Sequence, residues 1–234
     1  MITLKHDQWK RDRFNKSLEE NLLKFDYTTW EGVLAKEQPK IVNWAIRKGY
    51  TLKEKSDKGM GNLGAGLAHL TLLNHIAHQP EGELFLVLED NASANSNTKE
   101  AVPFAKMYYE RTRFDFLNLC VLRPKGTCME SDSDFAGVLK VQKEKDWSGQ
   151  NVWMSSFVIT PVGARKILRR FRERPVNLNR NVIDRVVSRI LSENDDINAF
   201  VLARKQYFNH HETNNDTRKK LNGAAAPIHR EPGF

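Results

Sequence analysis

Apolar and polar positions recur along the chain with two periods, and the switches between them divide it into elements. Residues 1–4 read as a very short strand. Over residues 11–23, Phe14, Leu18, Leu22 and Leu23 recur at helical spacing. Residues 25–30 read as a second strand, and Ile41, Trp44 and Ala45 mark a helical turn within the polar stretch 33–58. A glycine-rich run, residues 59–66, opens onto a predicted helix over 67–77. Residues 84–88 are five consecutive apolar positions between Glu83 and Glu89, the pattern of a strand buried on both faces. Residues 91–98 read as a polar loop, 103–112 as a helix and 114–122 as the next strand. Residues 123–150 are loop-rich, with a strand at 137–141. Residues 155–160 read as a strand, and Pro161 suits the first turn of the helix predicted over 162–172. A further helix is predicted over 181–191.

Strands alternating with helices predict an α/β fold, its central sheet mostly parallel and flanked by helices. Such sheets bind ligands at the carboxyl ends of their strands, which is where Glu89 and Asp90 fall. The pattern shows no internal repeat. It predicts one domain over residues 1–208 and a polar, flexible C-terminal tail over 209–234.

Composition narrows the function classes only slightly. With 40% hydrophobic and 28% charged residues, the 234-residue chain matches an ordinary soluble globular protein. A net charge of +8 favours anionic partners: nucleic acid, acidic membrane surfaces or phosphate-bearing small molecules. Part of that excess lies in residues 165–174, which read as a solvated helix face. No zinc finger or RNA-binding aromatic motif accompanies the charge, so nucleic acid is not the expected partner. Cys120 and Cys128 fit no zinc pattern and read as free thiols of a reducing compartment. No apolar run approaches the roughly 18 residues of a membrane span, and the first residues turn charged too soon for a signal peptide. The expected location is cytoplasmic.

Several groups are candidates for chemistry. Glu89, Asp90 and Asn91 offer hard oxygens suited to Mg²⁺ or Mn²⁺; as plain structure, they would end a strand and cap a turn. The glycine run lacks both the dinucleotide fingerprint and the P-loop lysine. It is either a flexible helix start or a place where backbone near Gly64 approaches a ligand. His69 lies in an apolar helix, where a lone histidine is usually a satisfied core residue. Asp184, amid apolar neighbours, is either a general base or a surface acid paired with Arg185 or Arg180. His210, His211 and Glu212 form a weak metal-like cluster.

Taken in order, these blocks resemble the family-25 glycosyltransferases, which include lipopolysaccharide and procollagen galactosyltransferases. The opening I-N-L-x-x-x-x-x-R-x-x-x-F pattern is similar to Ile2-Thr3-Leu4 through Arg11, Arg13 and Phe14. The family's G-x-x-G-x-x-x-S-H-x-x-x-W resembles Gly61 to Leu73, and its L-E-D-D resembles Leu88-Glu89-Asp90-Asn91. A later W-D strand is similar to Phe114-Asp115, the Y-x-I-S-x-x-G-A block to Phe157 through Ala164, and P-x-D to Val182-Ile183-Asp184. The resemblance runs from residue 2 to about 190. It implies a GT-A-like fold, a UDP-sugar donor (galactose or glucose), a Mn²⁺-like cofactor and inversion at the sugar carbon. It further implies a glycan or protein hydroxyl acceptor. By this resemblance Glu89 and Asp90 become donor and metal groups, with Asn91 beside them. Gly64 and His69 join the donor site, Asp184 becomes the first candidate for the catalytic base and Asp115 the second. The chain departs from the pattern at Asn91 (for aspartate), Ala68 (for serine) and Leu73 (for tryptophan). These departures keep a second reading open, a catalytically inactive scaffold of the same fold; a basic nucleic-acid-binding protein is the third.

Overall fold

The computed structural model describes residues 1–53, 59–119, 129–131, 137–141, 154–202 and 206–210. In chain order these form β1 (Ile2–Thr3), α1 (Gln8–Glu20), β2 (Trp30–Glu31), α2 (Pro39–Arg47), α3 (Met60–Ala77), β3 (Phe85–Leu88) and β4 (Ala92–Ala94). There follow α4 (Ala101–Thr112), β5 (Phe116–Asn118), β6 (Met129–Ser131), β7 (Val138–Val141) and β8 (Ser156–Ile159). The last are α5 (Pro161–Glu173), α6 (Ile183–Glu193), β9 (Ala199–Leu202) and β10 (Phe208–His210).

The class is α/β, as expected, but the sheet is mixed rather than mostly parallel. Its order is β3-β8-β5-β9-β7-β6, and only β5 and β9 pair in parallel. The reason lies between β5 and β8. A parallel neighbour needs a long crossover, usually helical, whereas the chain there makes the antiparallel pair β6–β7. β8 then enters between β3 and β5 running against both. Hydrophobic periodicity marks a strand without fixing its direction, so the sequence pattern was blind to this reversal.

Alternation along each strand makes three layers. Phe116, Phe157, Ile159 and Val201 face one cluster, built with Leu67, Leu70 and Leu73 of α3, Phe171 of α5 and Val187 of α6. Leu117, Val158, Phe200 and Leu202 face the other, with Phe14 and Leu18 of α1 and Tyr108 of α4. α3 is apolar on most of its surface and runs through the middle of the first layer, as such a helix must.

α3 begins at Met60, seven residues before the predicted helix, so the glycine run is itself helical. Packing explains it. A Cβ added at Gly64 would lie 2.3 Å from the Val33 carbonyl oxygen, so the missing side chain lets α3 touch the Val33 backbone. Just ahead of the helix, Gly59 has φ +74°, a left-handed conformation that favours glycine.

β1 pairs in parallel with β2, and Ile2 bridges in parallel to Glu89. The carboxyl ends of β1, β2 and β3 therefore point the same way. Several elements differ from the sequence reading: the strand expected over 25–30 is only Trp30–Glu31, the loop at 91–98 contains β4, β6 and β9 were not expected, and β10 takes in Asn209 and His210 from the stretch read as a flexible tail. β4 pairs antiparallel with β10. Cys120, Cys128, His211, Glu212 and the rest of the tail lie outside the described residues. Among the described residues, no helix is long and apolar enough to cross a membrane.

Candidate functional site

A cleft of about 600 Å³ opens where β1, β2 and β3 end. One wall is Ile2 to Leu4 with the chain after β2, Gly32 to Glu37. The opposite wall is the first half of α3, where Gly61, Gly64, Ala65, Ala68 and His69 face the space. Glu89, Asp90 and Asn91 line it from the end of β3, and Asp7 and Lys10 from the start of α1. Four carboxylates (Asp7, Glu37, Glu89, Asp90) thus stand against two ammonium groups, Lys10 and Lys36. Such an excess attracts cations.

Glu89 is fixed at both ends. Its backbone N–H donates to the Ser155 carbonyl at 2.9 Å, and its Oε1 accepts from His69 Nε2 at 2.8 Å. Burial works against the ionised carboxylate. The bond and charge of His69, the charge of His210 and a Ser155 side-chain bond outweigh it and hold Glu89 below its ordinary range. His69 is itself buried, with its ring 6.2 Å from that of Phe157. It is a buried core histidine that lines the cleft, but not a fully satisfied one, since its Nδ1 has no hydrogen-bond partner among the described residues.

Asp184 sits in the first turn of α6, within electrostatic reach of Glu89 and His69. The structure therefore brings it near the acidic strand end, although it does not line the cleft. Burial first, and then the Glu89 charge, push its carboxyl up to about 6, against the pull of His69 and backbone bonds at Met154 and Asp184. Met154 and Ser155, the residues leading into β8, thus hold both acids.

Asp90 faces an ammonium. Lys10 Nζ lies 3.2 and 3.1 Å from its two oxygens and 2.8 Å from Asp7. Burial lowers the Lys10 affinity for its proton, but bonds to Asp7 and Asp90 more than restore it, and the net shift is upward. Burial also raises Asp90, and Lys10 only partly opposes it. Arg13 donates to the Asp90 carbonyl at 3.0 Å and lies over the Trp9 ring at 5.3 Å. Asn91 Oδ1 is buried without a hydrogen-bond partner among the described residues.

Among the described residues no group of three or more His, Cys, Asp and Glu side chains forms a ready-made metal cage. A divalent cation shared with a phosphate ligand needs less, since one or two protein carboxylates suffice beside phosphate oxygens and water. The residues present fit that case. Asp90 keeps free lone pairs beyond those Lys10 uses, and Asn91 offers an unsatisfied buried oxygen.

Asp115 does not join the cluster. It precedes β5 at the opposite end of the sheet, where Phe116 is level with Ile159 and Phe85. Its Oδ2 accepts from Lys166 Nζ at 2.6 Å and from the Asn198 N–H at 2.8 Å, so it locks α5 and the start of β9 to the sheet. Gly64 lines the cleft, but its tightest neighbour is Val33.

Sequence reasoning missed Lys10 and Asp7, and gave Arg13 no role beyond the opening motif, because charged residues on a charged helix carry no pattern. A signal existed: counted from Leu4, the arginine of the opening motif falls on Lys10. His210 was set aside with the tail, yet β10 brings its Nε2 to 3.3 Å from Ser156 Oγ, beside the acidic strand end. No family model matches the chain, and no curated protein matches it.

Proposed function

We propose that the cleft binds a nucleotide-sugar donor, a UDP-hexose by the resemblance, and that the protein is a GT-A-type glycosyltransferase acting on a hydroxyl of a glycan or protein acceptor. The observation that carries this reading is the meeting of Asp90 and Asn91, on a rigid strand end, with Glu89 and His69 around one cleft, Asp184 standing behind them within electrostatic reach of Glu89 and His69. An acid-rich cleft does not receive a diphosphate unaided, which argues for a cation between them. Asp90 and Asn91 would hold Mn²⁺ or Mg²⁺, whose charge neutralises the departing diphosphate when it is bound.

In this reading the chain's residues divide the work. Asp184 takes the proton of the acceptor hydroxyl; a carboxyl near 6 is mostly ionised at neutral pH and still basic enough to serve. The acceptor oxygen bonds to the anomeric carbon as the bond from that carbon to the diphosphate oxygen breaks, on the opposite face, with inversion. Glu89 and His69 position the strand end, and Lys10 holds the Asp90 carboxylate in place.

Titration calorimetry with UDP and UDP-hexoses, with and without Mn²⁺, tests the reading, with an oligonucleotide as control. Binding that needs the metal and is lost in Asp90→Ala is the expected result. Oligonucleotide binding in place of nucleotide-sugar binding overturns it. Product analysis then separates transfer with inversion from a scaffold that binds donor without turnover, the reading that Asn91 and Ala68 keep open.

A further inference from the structure

A second cavity, of about 520 Å³, shares no lining residue with the cleft. Three stretches converge on it: the chain after α2, the last turn of α3 and one face of α5. Its lining includes Lys48, His78, Arg165, Lys166, Arg169 and Arg172, and no Asp or Glu. Arg165, Arg169 and Arg172 recur at steps of four and three, so they share one helix face.

The carboxylates that neutralise part of this charge stand outside the cavity. Arg165 pairs with Glu81, Lys166 with Asp115, and Arg169 with Asp196 and Glu173. Lys48 and Arg172 form no ion pair among the described residues. His78 Nδ1 donates to the Asn74 carbonyl at 2.6 Å, leaving Nε2 for another partner. A basic helix face in open water needs no explanation. Here the cations of two stretches, Lys48 after α2 and the face of α5, surround one hollow with the His78 ring beside them, and their mutual repulsion is relieved by an anion inside it.

We infer that this cavity is a binding site for a phosphate-bearing anion, with Lys48 and Arg172 as its uncommitted cations. The phosphate could belong to a soluble compound or to the headgroup of an anionic lipid; the chemistry of recognition is the same. This site is independent of the donor cleft and of the reaction proposed there.

The test uses the full chain in EDTA, with inorganic pyrophosphate titrated by calorimetry. Saturable binding that weakens steeply with added salt is expected. The double variant Lys48→Gln/Arg172→Gln should weaken it by about tenfold or more, while the charge-preserving pair Lys48→Arg/Arg172→Lys retains it. Asp90→Ala should leave it unchanged. No binding, binding indifferent to the double variant, or binding lost in Asp90→Ala overturns the inference. Co-sedimentation with phosphatidylglycerol vesicles, against phosphatidylcholine, separates the sources. Capture that the double variant abolishes assigns a headgroup; pyrophosphate binding without capture assigns a soluble phosphate compound.

Discussion

Replacing Asp184 by Asn should make the protein more stable and inactive. Raising a carboxyl from its ordinary 3.8 to about 6 costs the ionised form roughly 3 kcal/mol, since one pH unit is worth about 1.4. The folded state holds the Asp184 proton more tightly than the unfolded chain does. The stability this proton contributes is complete below about pH 4 and is lost as pH rises through about 6. Asn is isosteric and cannot ionise, so it removes the penalty. Urea unfolding of both proteins in EDTA, from pH 4 to pH 8, should show curves that coincide at the acid end. They should separate by up to about 3 kcal/mol above pH 6.5, the variant being the more stable. In the same variant, donor binding should persist while transfer falls by a factor of a hundred or more. A gap that does not change with pH, or a variant less stable at pH 8, refutes the burial argument; full transfer activity refutes the assignment of the base.

Gly64→Ala pushes a methyl toward the Val33 carbonyl at 2.3 Å and should cost about 1–3 kcal/mol, read as a lower melting temperature; no change would mean α3 has room to shift. Asp115→Asn should cost about 1–3 kcal/mol by weakening the buried Asp115 carboxylate's bonds to half-buried Lys166 and the Asn198 amide, yet leave kcat of the folded protein unaltered. A fall in kcat with stability intact would return Asp115 to the chemistry. Lys10→Met leaves Asp7 and Asp90 without their shared ammonium and should cost about 1–3 kcal/mol at neutral pH, less in acid. Mn²⁺ should then raise the melting temperature of the variant more than that of the parent, and equal shifts would speak against a cation at Asp90.

What the sequence made legible follows from what each residue type signals. The buried strand before Glu89, the helix after Pro161 and the helix carrying Asp184 each have an apolar pattern, and each formed within a few residues of its expected bounds. β4 and β10 have none: Ala92–Ala94 and Phe208–His210 are strands only because each pairs with the other across more than a hundred residues. Met60 to Gly66 became helix because Gly64 can press against Val33, a tertiary cause that local propensity does not contain. In the site, Glu89, Asp90 and Asp184 were visible as acids at element ends. Lys10 was not, since its importance comes entirely from a partner 80 positions away.

That long-range pairing has a consequence for how the molecule acquires its cleft. Residues near 10, 33, 64 and 89 must all arrive, with Ser155 to seat Glu89, before the cleft exists. No short excised fragment can hold the cleft, and a ribosome-bound chain gains it only once Ser155 has emerged. Any small molecule that fills the cleft therefore staples the beginning of the polypeptide to α3 and the end of β3, and amide protons throughout both layers should exchange more slowly in its presence.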